Sequence, residues 1–175
     1  DAAVIVSAPF MLEACGYHMD KGFSRVYQRY LLNLLKANAS RKLKAYPGTL
    51  PVDLKRLKSV RRIREFDDLI TSKIHGFADA IDYYRQCSAM PVLSQITRPT
   101  LIIHAKDDPF MDHHSIPAQE ELPNNIHYQL TEHGGHVGFV GGTLRRPEMW
   151  LEKRIPDWLK QFLRCLLYTS PSPRD

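Results

Sequence analysis

The alternation of apolar and polar positions divides the chain into strand-like and helix-like stretches. It opens on a near-continuous apolar run at 2–7, closed by Pro9, as expected of a parallel strand covered on both faces. Beyond Gly22, the residues Phe23, Tyr27, Tyr30, Leu31, Leu34 and Leu35 recur at helical spacing until Tyr46-Pro47-Gly48 ends the element. A stripe of this kind ordinarily faces a core; lining an acyl pocket is the alternative. Leu54, Leu57, Val60 and Ile63, three apart, predict an amphipathic helix over 54–64. Phe66-Asp67-Asp68 then precedes Ile70, Ile74, Phe77, Ile81 and Tyr84, a further helical series with Asp67 or Asp68 placed to cap its amino end. A second strand is expected at Pro99-Thr-Leu-Ile-Ile-His-Ala105 and a third at Ile126-His-Tyr-Gln-Leu130. Pro147 can open a terminal helix and Pro156 restart it, with Trp158, Leu159, Phe162 and Leu163 packing inward.

Strands that alternate with helices indicate an α/β fold with about three parallel strands and flanking helices. The stretch between the first and second strands is far longer than an ordinary crossover. Residues 17–90 are therefore expected to form a helical cap insertion within a domain spanning 1–165. The last ten residues, 166–175, hold two Ser-Pro steps and no amphipathic period, which predicts a disordered, non-native tail.

Composition narrows the function classes. The 175 residues are 43% hydrophobic and 25% charged, ordinary for a globular protein, and no run approaches the roughly 18 apolar residues of a membrane span. No basic stretch, apolar core and small-residue cleavage site mark a signal peptide. Cys15, Cys87 and Cys165 are odd in number and widely spaced, which argues against a disulfide framework or zinc ribbon and for a reducing cytoplasm. The net charge of +5 is local: Lys55, Arg56, Lys58, Arg61, Arg62 and Arg64 supply much of it, as the outer face of the 54–64 helix. That face is expected to be merely solvated. An anionic membrane surface is the less favoured alternative, and nucleic acid is not expected because no recognition motif accompanies the charge.

The chemistry concentrates after the second strand. Lys106-Asp107-Asp108-Pro109 is followed, 28 residues beyond Asp108, by His133-Gly-Gly-His136. Loops at the carboxyl ends of parallel strands converge on one crevice, so an acid after Ile103 and a histidine after Leu130 can meet. A serine that transfers an acyl group needs a neutral imidazole to take its proton and a buried carboxylate to orient the ring. Asp108 and His136 suit these roles, with Gly134 and Gly135 letting the backbone bring the ring forward. Asp107 is the competing acid; that both aspartates merely terminate the strand turn is the bland alternative. A metal site built from His133 and His136 with His104, His113, His114 or the aspartates is also conceivable, but it lacks the helical H-E-x-x-H arrangement. No cofactor is called for, and the expected partner is a small-molecule ester. His75 is expected to be structural. Ser7 lacks flanking glycines, and neither Cys15 nor Cys87 lies near a glycine elbow.

Acid followed by histidine is the order of the α/β-hydrolase triad after its serine, but no G-x-S-x-G is present. Because the chain opens on a strand, it is expected to begin downstream of the elbow. Val4-Ile-Val-Ser-Ala-Pro-Phe10, Phe66-Asp-Asp-Leu-Ile-Thr71 with Tyr83-Tyr84, Pro99 to Met111, and His133-Gly-Gly-His-Val-Gly-Phe139 together resemble the YheT-like α/β-hydrolases, related to the animal α/β-hydrolase-domain lipases. The resemblance covers residues 1 to about 163. It implies a serine hydrolase of carboxylic esters, with Asp108 and His136 falling where the family's acid and histidine fall. Asp108 is preferred because Ala105-Lys106-Asp107-Asp108-Pro109 matches the family's G-x-x-D-P with alanine for glycine. The family's G-Y-S-L-G-G elbow and its oxyanion hole lie earlier than this sequence, so the chain alone is expected to be inactive and its first strand to expose an apolar edge. A non-catalytic hydrolase-fold protein that binds a partner or an anionic membrane is the competing function.

Overall fold

The computed structural model describes residues 2–112, 115–143 and 145–163. The tail expected at 166–175, Cys165, His113 and His114 lie outside the described residues. The chain divides into two compact units, one formed by residues up to 8, 92–108 and 117 onward, the other by 9–91 and 109–116.

The first unit is built on a parallel sheet of β1 (Ala3–Val6), β2 (Thr100–Ala105) and β3 (Ile126–Thr131), in the order β1-β2-β3. The register pairs Val4 with Leu101 and Val6 with Ile103 on one side, and Thr100 with Ile126 and Ala105 with Thr131 on the other. All six residues of β2 are buried, which explains why Leu101, Ile102 and Ile103 follow one another without a polar residue between them. Two segments depart from expectation after β3. Pro147 opens no helix: it lies in β5 (Arg146–Met149), paired antiparallel with β4 (Val140–Thr143). This two-stranded ribbon is exposed throughout, and a proline is tolerated where its missing N–H deprives no interior ladder. The terminal helix α7 (Trp150–Leu163) starts after the ribbon and runs through Pro156 without restarting. Trp150, Leu151 and Trp158 pack with Leu101, Ile103, Ala105 and Phe139. Leu163, expected inside, is half exposed, since one step of about 100° carries it off the Leu151–Trp158–Phe162 stripe.

The second unit is helical: α1 (Leu12–Met19), α2 (Ser24–Ala45), α3 (Leu54–Ser59), α4 (Ile63–Phe66), a π-helical turn at Asp67–Thr71, α5 (Ser72–Ile74) and α6 (Ala80–Cys87). Its core joins Leu32 and Ala39 of α2 to Leu50, Leu57, Val60, Phe66 and Ile70. The face of α2 differs from expectation. Phe23 is 73% exposed, Tyr30 63% and Leu34 47%, while Ser24 and Gln28 are buried. A polar side chain takes the inner face because Gln28 is fully used: its Nε2 donates to the Met19 carbonyl and to Asp20 Oδ1, and its Oε1 accepts the Ile63 N–H.

The helix expected over 54–64 is two helices. Asp53 caps α3 by accepting the Arg56 N–H at 2.6 Å, and the backbone turns extended at Val60 and Arg62 before α4 begins. Lys36 Nζ donates to the Lys58 and Val60 carbonyls at 2.9 and 2.8 Å, occupying acceptors that a continuing helix would have used. The series after residue 66 is also interrupted, at Gly76 with φ +80°. Neither Asp67 nor Asp68 caps a helix there. Asp67 accepts the Tyr84 and Thr71 hydroxyls, Asp68 Oδ1 accepts the Ala80 N–H, and Asp79 is the cap of α6. His75 ends α5 and is exposed. Among the described residues no helix is long and apolar enough to cross a membrane.

Candidate active site

At the carboxyl end of β2 the chain turns sharply, the Asp108 N–H reaching back to the Ala105 carbonyl at 3.2 Å. Two neighbouring carboxylates thereby leave the strand in different directions. Asp108 is buried, and its Oδ2 lies 2.9 Å from Nδ1 of His136. A carboxylate can only accept, so Nδ1 carries the proton and Nε2 of the neutral ring is left as the basic nitrogen. The imidazole is 41% exposed while the carboxylate is wholly enclosed. That combination holds the imidazole against an enclosed carboxylate while part of the side chain stays open to solvent.

Asp107 holds the backbone instead. Its Oδ1 accepts the Gly134 and Gly135 N–H groups at 2.9 and 2.8 Å, and its Oδ2 lies 3.4 Å from Nδ1 of the exposed His133. Burial pushes the Asp107 carboxyl up, but the Gly135 and Gly134 amides and the His133 imidazole together outweigh it and hold the group below the usual carboxylate range. The loop is also tightened from within. Phe139 N–H donates to the Gly134 carbonyl at 2.8 Å, and Thr131 Oγ1 donates to the His133 carbonyl at 2.9 Å. A Cβ at Gly134 would stand 2.6 Å from two ring carbons of Phe139 and 2.9 Å from the Ala105 Cβ, so no other residue fits beneath this loop without displacement.

Two further residues lie at the site in roles that the sequence did not assign them. Ser7, just past β1, is buried with φ +52°, a conformation that non-glycine residues rarely adopt. Its N–H donates to the Ile103 carbonyl and its hydroxyl to the His136 carbonyl. That hydroxyl is spent on the backbone of the histidine and is not aimed at the ring. His104 is completely buried in β2, its Nε2 2.8 Å from the Ala8 carbonyl, so Nε2 carries the proton. Burial pushes the His104 imidazole below its ordinary value despite the Ala8 hydrogen bond and the nearby Asp108 charge, with His136 adding to the depression. A polar residue at each strand end, Ser7 just past β1 and His104 after the apolar Leu101-Ile102-Ile103 of β2, was the visible signal for both.

Of the residues considered for a metal, His133 meets Asp107, His136 meets Asp108, and His104 meets the Ala8 carbonyl. Among the described residues, no three His, Cys, Asp or Glu side chains form a group that could hold a metal ion. The arrangement is suited to proton transfer: Nε2 of His136 can take a proton from a hydroxyl or water, and Asp108 stabilises the imidazolium that results.

Comparison with known proteins agrees with this architecture. A family model described as the alpha/beta hydrolase fold matches residues 1–143. The chain is 80% identical over 165 residues to "Putative esterase YheT" of Escherichia coli (strain K12), an alignment covering 94% of this chain and 48% of that protein. It is 28% identical to human "Phospholipase ABHD3", over 95% of this chain and 40% of that protein, and 31% identical to human "Monoacylglycerol lipase ABHD2", over 65% and 29%. The chain thus spans about half the length of the first of these relatives and less of the others. No solved structure gives a significant match. With three parallel strands, flanking helices and an acid–histidine contact after β2 and β3, the chain belongs to the α/β-hydrolase fold family and, within it, to the YheT-like proteins.

Proposed function

We propose that this chain carries the acid and the base of a serine hydrolase of carboxylic esters, Asp108 and His136, and that the nucleophile lies in sequence outside these 175 residues. The observation that carries the proposal is the 2.9 Å contact between an enclosed carboxylate and a half-exposed imidazole. His136 Nε2 takes the serine hydroxyl proton as that oxygen attacks the ester carbonyl. The imidazolium, held by Asp108, then returns the proton to the departing alcohol, and a water repeats the sequence to release the acid. The names of the relatives, an esterase and two lipases, support an ester substrate. The few, widely spaced cysteines suit a reducing compartment.

The test compares the chain alone with the complete protein that contains it. The chain should hydrolyse p-nitrophenyl esters no faster than buffer and take up no fluorophosphonate. The complete protein should do both, and His136→Ala should lower its kcat by about 10³-fold or more. Full activity of the His136→Ala protein, or stoichiometric labelling of the chain alone, would overturn the assignment.

A further inference from the structure

The positive charge of the chain is not spread evenly. Residues 24–64 hold twelve lysines and arginines against Asp53 alone, whereas the remaining sequence holds twelve against eighteen carboxylates and is net acidic. The structure gathers part of this charge around one cavity of about 970 Å³, wholly within the helical unit. Arg25, Arg29 and Lys36 line it from one flank of α2, at steps of four and seven residues, and Arg61 and Arg62 line it from the break between α3 and α4. Had the 54–64 segment been a single helix, the extended backbone that carries Arg61 and Arg62 to this wall would not exist.

Counter-charge on the wall is sparse. Asp20 lies 3.8 Å from Arg62, and Glu65 accepts the Arg61 N–H; among the described residues no ion pair is recorded for Arg25, Arg29 or Arg61. Burial first, and the neighbouring Arg61 charge second, push the Lys36 ammonium below its ordinary value, Glu65 offsetting this in part. The frame is preorganised, because Lys36 is pinned to two carbonyls and Gln28 to three partners. The floor is apolar, formed by the buried Leu32 and Val60, and the exposed Val26 stands on the rim.

We infer that this cavity is a binding site for the phosphate ester of an anionic phospholipid headgroup. A ring of guanidinium groups is matched to phosphate oxygens. The volume lies within the range of small-ligand sites, and the apolar floor and rim suit the boundary between headgroup and acyl chain. A nucleic-acid strand would instead need an extended groove that follows its backbone with stacking side chains along it. The site stands independently of the hydrolytic proposal, since none of its residues takes part in the Asp108–His136 arrangement.

The experiment is vesicle co-sedimentation of the full chain. Phosphatidylglycerol vesicles should bind it at least about tenfold more tightly than phosphatidylcholine vesicles, because basic residues near an anionic surface add to its attraction. Arg29→Glu with Arg61→Glu should remove about tenfold or more of that affinity, while Lys55→Glu with Lys58→Glu, equal in charge but outside the cavity, should remove less than about threefold. Arg25→Gln with Arg29→Gln, two exposed positions on α2, gives the same comparison without charge reversal and guards against misfolding of the first pair. Equal loss in cavity and control variants, or equal binding to both vesicles, would overturn the inference. So would binding of free glycerol phosphate without vesicle binding, or tRNA binding that loses as much affinity in the cavity variants as vesicle binding does.

Discussion

Replacing Gly134 by alanine places one methyl group where the structure has no room. The added Cβ meets Phe139 Cδ1 and Cε1 at 2.6 Å and the Ala105 Cβ at 2.9 Å, distances that real Cβ atoms do not sustain. None of these neighbours can retreat cheaply. Ala105 ends the buried central strand, and Phe139 is 3% exposed, stacked on Trp150 at 5.8 Å and fixed by its N–H to the Gly134 carbonyl. Overpacking a tight site costs typically 1–3 kcal/mol, and three contacts at once argue for about 3 kcal/mol here. For a chain of this size that is a fall in Tm of roughly 6–12 °C. Gly135→Ala supplies the contrast. Nothing lies within 4 Å of its added Cβ, but its φ is +59°, so it should lose only the left-handed conformational penalty, about 1 kcal/mol or roughly 2–4 °C. Thermal and urea denaturation of the two variants measure the difference, and Phe139→Leu in the Gly134→Ala background should recover at least about 1 kcal/mol beyond additivity. If Gly135→Ala proved as damaging as Gly134→Ala, or if Phe139→Leu gave no recovery, the steric reasoning would be wrong.

Three further outcomes are expected. Gln28→Ala should destabilise the helical unit by about 2–3 kcal/mol, because it leaves the Met19 carbonyl and the Ile63 N–H without their partner, and hydrogen exchange at Ile63 should accelerate in parallel. His104, buried with its folded pKa depressed, makes stability fall as pH drops below the unfolded histidine value of about 6.5, with a slope of at most about 1.4 kcal/mol per pH unit; His104→Gln should flatten that limb in urea titrations between neutrality and pH 5, and an unchanged slope would assign it elsewhere. In the complete protein, Asp108→Asn should lower kcat by about 10³–10⁴-fold by spoiling the imidazole's tautomer. Asp107→Asn, which touches the loop and not the His136 ring, should lose far less and show it in Tm as well; equal kcat losses would refute the proposed division of labour.

How much of this was legible in the sequence depended on the range of the interaction involved. β2 and β3 could be read because burial on both faces leaves consecutive apolar residues in the first, and partial burial leaves the alternation of Ile126, Tyr128 and Leu130 with polar neighbours in the second. That an acid after β2 and a histidine after β3 could meet followed from two loops at the same end of parallel strands, and the choice of Asp108 over Asp107 from the resemblance to the family's G-x-x-D-P. The face of α2 was misread because Gln28 is made an interior residue by partners at 19, 20 and 63, which no periodicity encodes. The break at Val60 depends in the same way on Lys36, and the positive φ of Ser7 on a histidine loop 129 residues away. The ribbon at 140–149 lacks a buried face altogether, so it had no alternation to reveal it, and Pro147 pointed to a helix start instead.

The paired aspartates constrain how this region can be redesigned. One hook grips the main chain at 134–135 and the next grips the imidazole at 136, leaving no slack between the two attachments. A residue inserted or deleted anywhere in that span would unseat one hook or the other. Lengthening therefore belongs beyond β4, outside the 134–136 span, where neither carboxylate is tethered.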